Sequence, residues 1–477
     1  MSDNDHDHPG PRIPEPRARP VGGTEYSWCK AVPGGTGITV LALLVSKFPD
    51  INLLQAALHQ LQTSHPILRS KLHFDAATAT FSFVTPPSSH LKIQLFDHSS
   101  TSAILSNNSN NPSVTPFHLI LEHEINTNSW SSSALESTDL DLFFASVYTL
   151  SESQWVVVLR LHTAACDRAS GVAVLRELLE ATGGRKENSN IELYNDNGVV
   201  GLGIEDCIPS GKANKPFWAR GMDVLGYSLN SLRLANLNFV DAESARCSQL
   251  VRLKMNPDET HRLLQGCKSI GIQLCGAIAA AGLIAAHSSK GLTVDQRHKY
   301  GVVTLIDCRS LLDPVLNSHH LGFYHSGIMN THDVSGGDKL WELAKRCYLA
   351  FSNAKNNNKH FMDISDLNFL MCKAIDNPGL TPSSALRTAC ISVFEDPVID
   401  DSNETHGELG VEDYVGCASV HGVGPSIAVF DTIRDGSLDS ACVYPSPLHS
   451  RDQMQKFIDD MKRILVDSCV NMEEGEN

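Results

Sequence analysis

Three side chains with acid–base or hydrogen-bonding chemistry occur within six positions of an otherwise apolar segment. They are His162, Thr163 and Asp167, and Arg168 follows directly. An imidazole is the side chain most often used to take a proton from a hydroxyl or amine, and such catalysis typically contributes roughly 10²–10⁴-fold in rate. A threonine hydroxyl is far too weak a base for that step, but it can donate a hydrogen bond to a developing oxyanion. This segment is where we expect the function of the chain to lie.

The segment lies at a predicted turn from a strand into a helix. Residues 154–162 predict the strand, with Trp155, Val157, Leu159, Leu161 and Thr163 on one face and Val156, Val158, Arg160 and His162 on the other. Successive side chains on a strand point to opposite faces, so His162 and Thr163 face opposite ways unless a bulge or the turn redirects one of them. A helix with one apolar face begins shortly after Asp167, which is therefore also placed to cap its N-terminus.

Four short segments resemble, in the same order, the motifs of one acyl-transfer superfamily. The segments are His65 to Arg69, His162 to Arg168, Asp307 to Pro314 and Val420 to Gly424. They resemble the HPxLR, HHxxxDG, DxRxxLxP and DFGWG motifs of chloramphenicol-acetyltransferase-like enzymes, condensation domains and plant BAHD acyltransferases. In this register His162 is the first histidine of the second motif, Thr163 replaces the second histidine, and Arg168 replaces the glycine.

The resemblance implies an α+β fold of two chloramphenicol-acetyltransferase-like lobes, with mixed sheets and a tunnel between the lobes. In that superfamily an acyl thioester enters the tunnel from one side and the acceptor from the other, and the second histidine is the general base. Asp167 resembles a structural aspartate that pairs with an arginine of the other lobe, and Arg309 is the candidate here. Arg168 either narrows the tunnel, binds an anionic substrate group or lies exposed at the surface.

Because Thr163 cannot act as the base, acyl transfer requires either an acceptor substrate that brings its own basicity or another imidazole that faces the tunnel. His325 is the favoured substitute, since it follows the Arg309 segment, where chains of the superfamily approach the tunnel. A redirected His162 is the other candidate, and a purely structural role is equally open for it. Thr163 then either donates a hydrogen bond to an oxyanion or simply fills the end of the strand.

The remaining imidazoles and the nearest thiol are expected to be structural or inert. His319 and His320 are adjacent on a loop and make a poor metal site without further ligands, while His421 stands in a glycine-rich turn. Cys166 lies among apolar residues and is expected to be unreactive. Without a metal-binding motif in the sequence, no metal site is expected.

Composition narrows the possible partners and the compartment. The formal net charge is −16 with 42% hydrophobic and 19% charged residues, which is typical of a folded protein and argues against nucleic acid or an anionic membrane as partner. Thirteen cysteines without a Cys-x-x-Cys pair indicate reduced thiols. The N-terminus has no apolar core of a secretory signal, and the longest apolar run, Cys275 to Ala286, is too short to span a bilayer. We expect a soluble, cytoplasmic monomer.

A chain of 477 residues is too long for one ordinary core, so two lobes are expected. The predicted division is a disordered tail over residues 1–20, an N-terminal lobe over 21–205, a crossover over 206–240 and a C-terminal lobe over 241–477. Among the local predictions are a strand over 67–72, a helix over 217–237, a tight turn at Arg434 to Ser437 and a C-terminal helix over 451–465.

Three functions are compatible with these observations. The first is an acyltransferase that uses an acyl-CoA as co-substrate, holds no bound cofactor, acylates a small-molecule hydroxyl or amine, and relies on a non-standard base. The second is an enzyme on the same fold that promotes a lyase, cyclisation or rearrangement step by binding and electrostatics. The third is a non-catalytic ligand-binding or interaction protein that retains the tunnel.

Overall fold

The chain folds into three sheets with helices packed against them. This computed structural model describes residues 17–108, 114–135, 139–183, 200–216, 221, 226, 234–291, 293, 295–400, 406–407 and 409–475. The described strands, numbered along the chain, are β1 (Arg17–Pro20), β2 (Thr36–Val45), β3 (Lys71–Asp75), β4 (Thr80–Thr85), β5 (Ile93–Phe96), β6 (Leu140–Asp141), β7 (Phe143–Ser151), β8 (Gln154–His162), β9 (Cys247–Met255), β10 (Arg297–Asp307), β11 (His325–Ser335), β12 (Arg387–Phe394), β13 (Val398–Asp400), β14 (Val411–Val420), β15 (Gly424–Arg434) and β16 (Ser437–Ser446).

The helices cover the faces of the sheets. Those that the structure describes are α1 (Gly23–Ala31), α2 (Ile51–Ser64), α3 (Pro66–Arg69), α4 (His98–Asn108), α5 (Pro116–Asn126), α6 (Ser132–Leu135), α7 (Arg168–Thr182), α8 (Pro257–Ser269), α9 (Leu274–Ser288), α10 (Leu340–Asn356), α11 (Lys359–Met362), α12 (Ile364–Asp376) and α13 (Arg451–Gly475). Within these residues no single helix is long and apolar enough to cross a membrane. Helices α8 and α9 meet that requirement only together, and the chain bends by 104° between them.

The sheets are mixed, as the α+β prediction requires. The N-terminal part of the chain forms a four-stranded sheet in the order β1-β4-β3-β6 and most of a five-stranded sheet in the order β14-β2-β8-β7-β5. The C-terminal part forms a seven-stranded sheet in the order β11-β10-β12-β15-β16-β9, with β13 paired to β15. Parallel pairs (β10 with β12, β12 with β15) and antiparallel pairs occur in the same sheet.

Strand β14 departs from the predicted assignment of residues 241–477 to the C-terminal lobe. It pairs antiparallel with β2, so it extends the N-terminal five-stranded sheet, whereas β15 returns to the C-terminal sheet. The turn between β14 and β15 therefore crosses from one lobe to the other. Local periodicity cannot predict this exchange, because the pairing partner of β14 lies more than 350 positions earlier in the chain.

Several local predictions need correction, and each has a physical reason. Residues 17–20, predicted as part of a disordered tail, form β1 and pair with β4, while residues 1–16 lie outside the described part of the chain. Residues 67–72 do not form one strand, because Pro66 starts the short helix α3. Strand β3 begins later, at Lys71. The predicted helix over 217–237 lies mostly outside the described residues.

Strand β8 shows the predicted alternation, and both of its faces are buried. Trp155, Val157, Leu159 and Leu161 pack in one cluster with α2 and α7, whereas Val156 and Val158 pack in another with α5. The two faces of β8 thus lead into different environments. This geometry places the side chains of His162 and Thr163 in different surroundings.

The loop before β2 contacts the β14–β15 crossover closely enough to require glycine. Gly35 has φ of +92°, and a Cβ built on it would lie 1.8 Å from His421 Nε2. His421 is held in place because its Nδ1 shares a hydrogen bond with Ser248 Oγ at 2.9 Å. A Cβ built on Gly34, the preceding residue, would have no neighbouring atom within 4 Å.

We therefore expect Gly35→Ala to destabilise the protein and Gly34→Ala to leave it almost unchanged. The left-handed backbone alone costs about 1–2 kcal/mol for a residue with a Cβ, and the clash with His421 adds to it. Urea unfolding of the two variants provides the measurement. Equal midpoints would contradict the close packing of this loop on the crossover.

Candidate active site

Asp167 and Arg309 form a buried, bidentate ion pair between the two lobes. Arg309 Nη1 donates to Asp167 Oδ2 at 2.9 Å, and Nη2 donates to Oδ1 at 3.0 Å. The side chain of Arg309 is 4% exposed and that of Asp167 is 1% exposed. Asp167 follows β8 of the N-terminal lobe and Arg309 follows β10 of the C-terminal lobe, so the expected interlobe contact is present.

The Asp167 carboxylate also organises the main chain on both sides. Its Oδ1 accepts a hydrogen bond from Ser170 N at 2.8 Å and so caps α7, while Oδ2 accepts one from Tyr324 N at 2.8 Å. Burial raises the pKa of Asp167, but the charges of Arg309 and His325 outweigh it and hold the pKa well below its usual range. The capping role and the pairing role predicted for Asp167 therefore hold together.

His325 is the imidazole that the structure brings to this carboxylate. Its Nδ1 lies 2.9 Å from Asp167 Oδ2, although the ring N–H is not directed along that line. The carboxylate beside Nδ1 favours the tautomer that carries its proton there, which leaves Nε2 as a proton acceptor.

The position of His325 follows from where β11 begins. The strand begins at His325 itself, and pairs His325 with Asp307 at the end of β10. The rings of Phe323 and Phe394 lie 6.3 and 5.9 Å away from the imidazole, centroid to centroid. Two aromatic walls therefore hold His325 at the edge of a cavity instead of in solvent.

That cavity lies between the lobes and has a volume of about 650 Å³. Thr163, Asp167, Arg168 and His325 all line it, and residues from both lobes close it. Its walls are mostly apolar. A cavity of this size and composition is typical of a site for a small organic ligand.

Thr163 faces the cavity together with a second hydroxyl. Its Oγ1 lies 2.7 Å from Thr39 Oγ1 on β2, and both side chains are buried. When one of two hydroxyls donates to the other, the second keeps its own proton for a ligand. The pair can thus donate one hydrogen bond to a carbonyl or oxyanion in the cavity. Thr39 escaped the sequence analysis because a threonine in an apolar strand carries no distinguishing signal.

His162 faces away from the cavity. Its ring is completely buried and packs edge-on against Trp130 at 5.1 Å, on the face of β8 that contacts α5. Nδ1 accepts a hydrogen bond from Ala164 N at 3.1 Å, which holds the turn into α7. Burial lowers the pKa of His162 to about 3, so the ring is neutral at physiological pH. The His162 ring is not redirected into the cavity, so it is not placed to act as a base. Of the two roles that the sequence left open for His162, the structural one applies.

Arg168 is neither exposed nor free to take an anionic group. Its guanidinium lies over the Phe394 ring at 4.2 Å and pairs with Asp431 Oδ1 at 3.1 Å, while also donating to the main-chain oxygens of Asp431 and Asp396. These partners belong to the C-terminal lobe. Arg168 therefore makes a second contact between the lobes beside the cavity, which corrects the expectation of an exposed arginine.

The other candidates have structural roles. Cys166 is buried, and burial followed by the charge of Asp167 raises the pKa of its thiol well above the usual range. His319 pairs with Glu177 at the surface, His320 Nδ1 shares a hydrogen bond with Asn317 Oδ1, and neither lines the cavity. In the described part of the chain no group of three or more potential metal ligands comes together.

Comparison with known proteins identifies the class of fold. No protein-family model matches the sequence, and no curated protein does. Solved structures match over almost the whole chain. Trichothecene 15-O-acetyltransferase from Fusarium sporotrichioides has a TM-score of 0.70 at 12% identity, covering 98% of this chain and 100% of its own.

Two further matches come from biosynthetic systems of bacteria. The EpoB NRPS cyclization-docking bidomain from Sorangium cellulosum has a TM-score of 0.64 at 14% identity over 94% of this chain and 85% of its own. Polyketide synthase associated protein 5 from Mycobacterium tuberculosis has a TM-score of 0.62 at 14% identity over 95% and 98%. The chain has the two-lobed fold of chloramphenicol-acetyltransferase-like and condensation-domain proteins, which confirms the resemblance at the level of the fold.

We expect removal of either partner of the interlobe pair to destabilise the protein strongly. Asp167→Asn or Arg309→Met should each cost about 3–5 kcal/mol, because the remaining charge stays buried and unpaired. Lys456→Met is the control, since Lys456 is 78% exposed and lies 3.8 Å from Asp460, and it should cost less than about 1 kcal/mol. A double-mutant cycle measured by chemical unfolding should give a coupling energy for the buried pair, and a value near zero would refute the pairing.

The buried His162 should make stability depend on pH. Its folded pKa of about 3 lies below the value of 6.5 for an unperturbed imidazole, so the unfolded state binds the proton first as pH falls. The stability difference between wild type and His162→Asn should therefore decrease by about 2 kcal/mol from pH 8 to pH 5. Unfolding titrations at both pH values give this difference. A pH-independent difference would place His162 in contact with solvent.

Proposed function

We propose that this protein is an acyltransferase that transfers an acyl group from a thioester, most simply an acyl-CoA, to a small-molecule hydroxyl or amine. The observation that carries the proposal is the contact between His325 Nδ1 and Asp167 Oδ2 at the edge of the interlobe cavity. It supplies an oriented imidazole to a site whose motif position for the base holds Thr163. The fold and the similar acetyltransferase support the same class of reaction.

The proposed steps assign one task to each group. His325 Nε2 takes the proton from the acceptor hydroxyl, and the Asp167 carboxylate stabilises the imidazolium that forms. The acceptor oxygen attacks the acyl carbon, and the Thr39–Thr163 hydroxyl pair donates a hydrogen bond to the resulting oxyanion. The C–S bond then breaks, and the imidazolium returns its proton to the leaving thiolate. No resident cofactor or metal takes part in this proposal.

The oligomeric state, the compartment and the partners of the protein are also part of the proposal. We infer a monomer that acts in the cytoplasm on small molecules, without a nucleic-acid or membrane partner. The net charge of −16 supports the exclusion of polyanionic partners. All thirteen cysteines are free thiols, which is consistent with a reducing compartment.

Small molecules retained by the purified protein distinguish the three functions that the sequence allows. Mass spectrometry of the released ligands should detect CoA or an acyl ester if the proposal is correct. An unrelated metabolite, turned over without a thioester, would instead indicate a lyase, cyclisation or rearrangement reaction. A protein partner with no small ligand would indicate a binding protein.

We expect His325→Ala to lower the rate of thioester-dependent acylation by about two orders of magnitude or more, because the general base is lost. Added imidazole should restore part of the rate, which a merely misfolded variant would not show. His162→Asn is the matched control and should keep the rate, while Thr163→Val should lower it about fivefold through one lost hydrogen bond worth about 1 kcal/mol. Release of free CoA from acetyl-CoA with a panel of alcohols and amines provides the assay. Full activity of His325→Ala would exclude His325 as the base.

A further inference from the structure

A second charged side chain reaches the cavity far from His325. Arg387 begins β12, lines the cavity and is only 1% exposed. Its Nε, Nη1 and Nη2 donate to neutral main-chain oxygens, those of Ala385, Val420, Gly422 and Pro425. A guanidinium has five N–H donors, so one of them has no acceptor among these bonds.

The charge of Arg387 has no counter-ion in the described part of the chain. No Asp or Glu oxygen there lies within 4.0 Å of its nitrogens. The charged neighbour that acts on it most is another cation, Arg246, and burial followed by this repulsion lowers the pKa of Arg387 to about 9. The guanidinium thus stays positive at neutral pH. Burial followed by the charges of Arg387 and Arg246 likewise lowers the pKa of His421 to about 4.

Two other buried charges in the cavity wall, unlike Arg387, have counter-ions. Arg168 is neutralised by Asp431, and Asp167 by Arg309. Carbonyl dipoles compensate a buried guanidinium only in part, so the local potential around Arg387 favours an anion. The net charge of −16 makes this potential a local property and not one of the whole chain.

The cavity separates this cation from the candidate base by the length of one strand. Arg387 is the first residue of β12, and Phe394, which contacts the His325 ring, is the last. The eight residues of β12 span roughly 23 Å at about 3.3 Å per residue. The cavity wall between the two ends is largely apolar, and includes Val303, Leu305, Met329, Leu367, Leu370 and Met371.

We propose that Arg387 binds the carboxylate of an elongated, otherwise apolar substrate whose reacting group lies near His325. The planar fork of a guanidinium matches a carboxylate. An apolar wall suits a hydrocarbon body, whereas a chain that carries amides would need hydrogen-bonding partners along its length. The proposal rests on the proposed function only for the identity of the reacting end, because the binding step needs no acyl transfer.

Ligands that differ only at one end test the site in the unaltered protein. Isothermal titration calorimetry with dodecanoate, dodecan-1-ol and dodecylamine compares a carboxylate, a neutral hydroxyl and a cation on one hydrocarbon chain. We expect dodecanoate to bind about ten- to a hundredfold more tightly than dodecan-1-ol, and dodecylamine to bind most weakly. Equal affinity of dodecanoate and dodecan-1-ol would overturn the proposal.

Substitutions then assign the preference to one residue. Arg387→Met should abolish the advantage of dodecanoate while leaving the affinity for dodecan-1-ol within about twofold, and Arg387→Lys should keep part of the advantage. Arg176→Met is the matched control, because Arg176 also lines the cavity but is exposed, and it should keep the full preference. A preference that survives in Arg387→Met or disappears in Arg176→Met would overturn the assignment.

Two further results keep this proposal separate from the proposed function. His325→Ala should bind dodecanoate like the wild type, so a failure of acyl transfer leaves the binding test intact. 4′-Phosphopantetheine is the competing anion on a polar chain. Displacement of dodecanoate by it at equal or lower concentration would show that Arg387 serves the phosphate of a thioester donor, and would overturn the carboxylate assignment.

Discussion

The arrangement of the two lobes depends on the hydrogen bonds and the ion pair that the Asp167 carboxylate makes. It is completely enclosed, and it receives two hydrogen bonds from Arg309, one each from Ser170 N and Tyr324 N, and the approach of His325 Nδ1. A buried charge is tolerated only when it is paired and hydrogen-bonded, so each of these groups must reach the same point. That requirement places the start of α7, the segment after β10 and the start of β11 around one end of the cavity.

The same constraint brings an imidazole to the site, although Thr163 occupies the position where the resemblance would place a histidine. A general base needs a ring that reaches the substrate and a partner that orients it, and neither condition depends on position in the sequence. His162, beside the motif position, is directed into the core by the alternation of β8. In the function that we propose, His325 meets both conditions from the other lobe, because its Nδ1 lies beside the Asp167 carboxylate at the edge of the cavity.

The cavity walls indicate what kind of molecule the site takes. Charges that belong to the scaffold are paired, as Arg168 is with Asp431 across the lobes. Arg387 is buried with only neutral acceptors in the described part of the chain, at the opposite end of β12 from Phe394 and His325. A buried cation without a counter-ion in the described part of the chain, an apolar wall and a distant imidazole together favour the amphiphilic ligand that we propose, with a fixed direction in the cavity, because only one end of such a ligand matches the guanidinium.

The sequence by itself determined the local elements and the faces of the strand that carries the motif. Alternating residues of β8, the Asp167 cap of α7 and the Asp435-Gly436 turn depend on neighbours in the chain, and all three occur as predicted. Only the tertiary structure decided that β14 joins the sheet of β2, that Thr39 meets Thr163, and that Arg168 and Arg387 are buried with different partners. These features join residues separated by a hundred positions or more or depend on which surfaces are enclosed, and no local pattern of residues encodes either property.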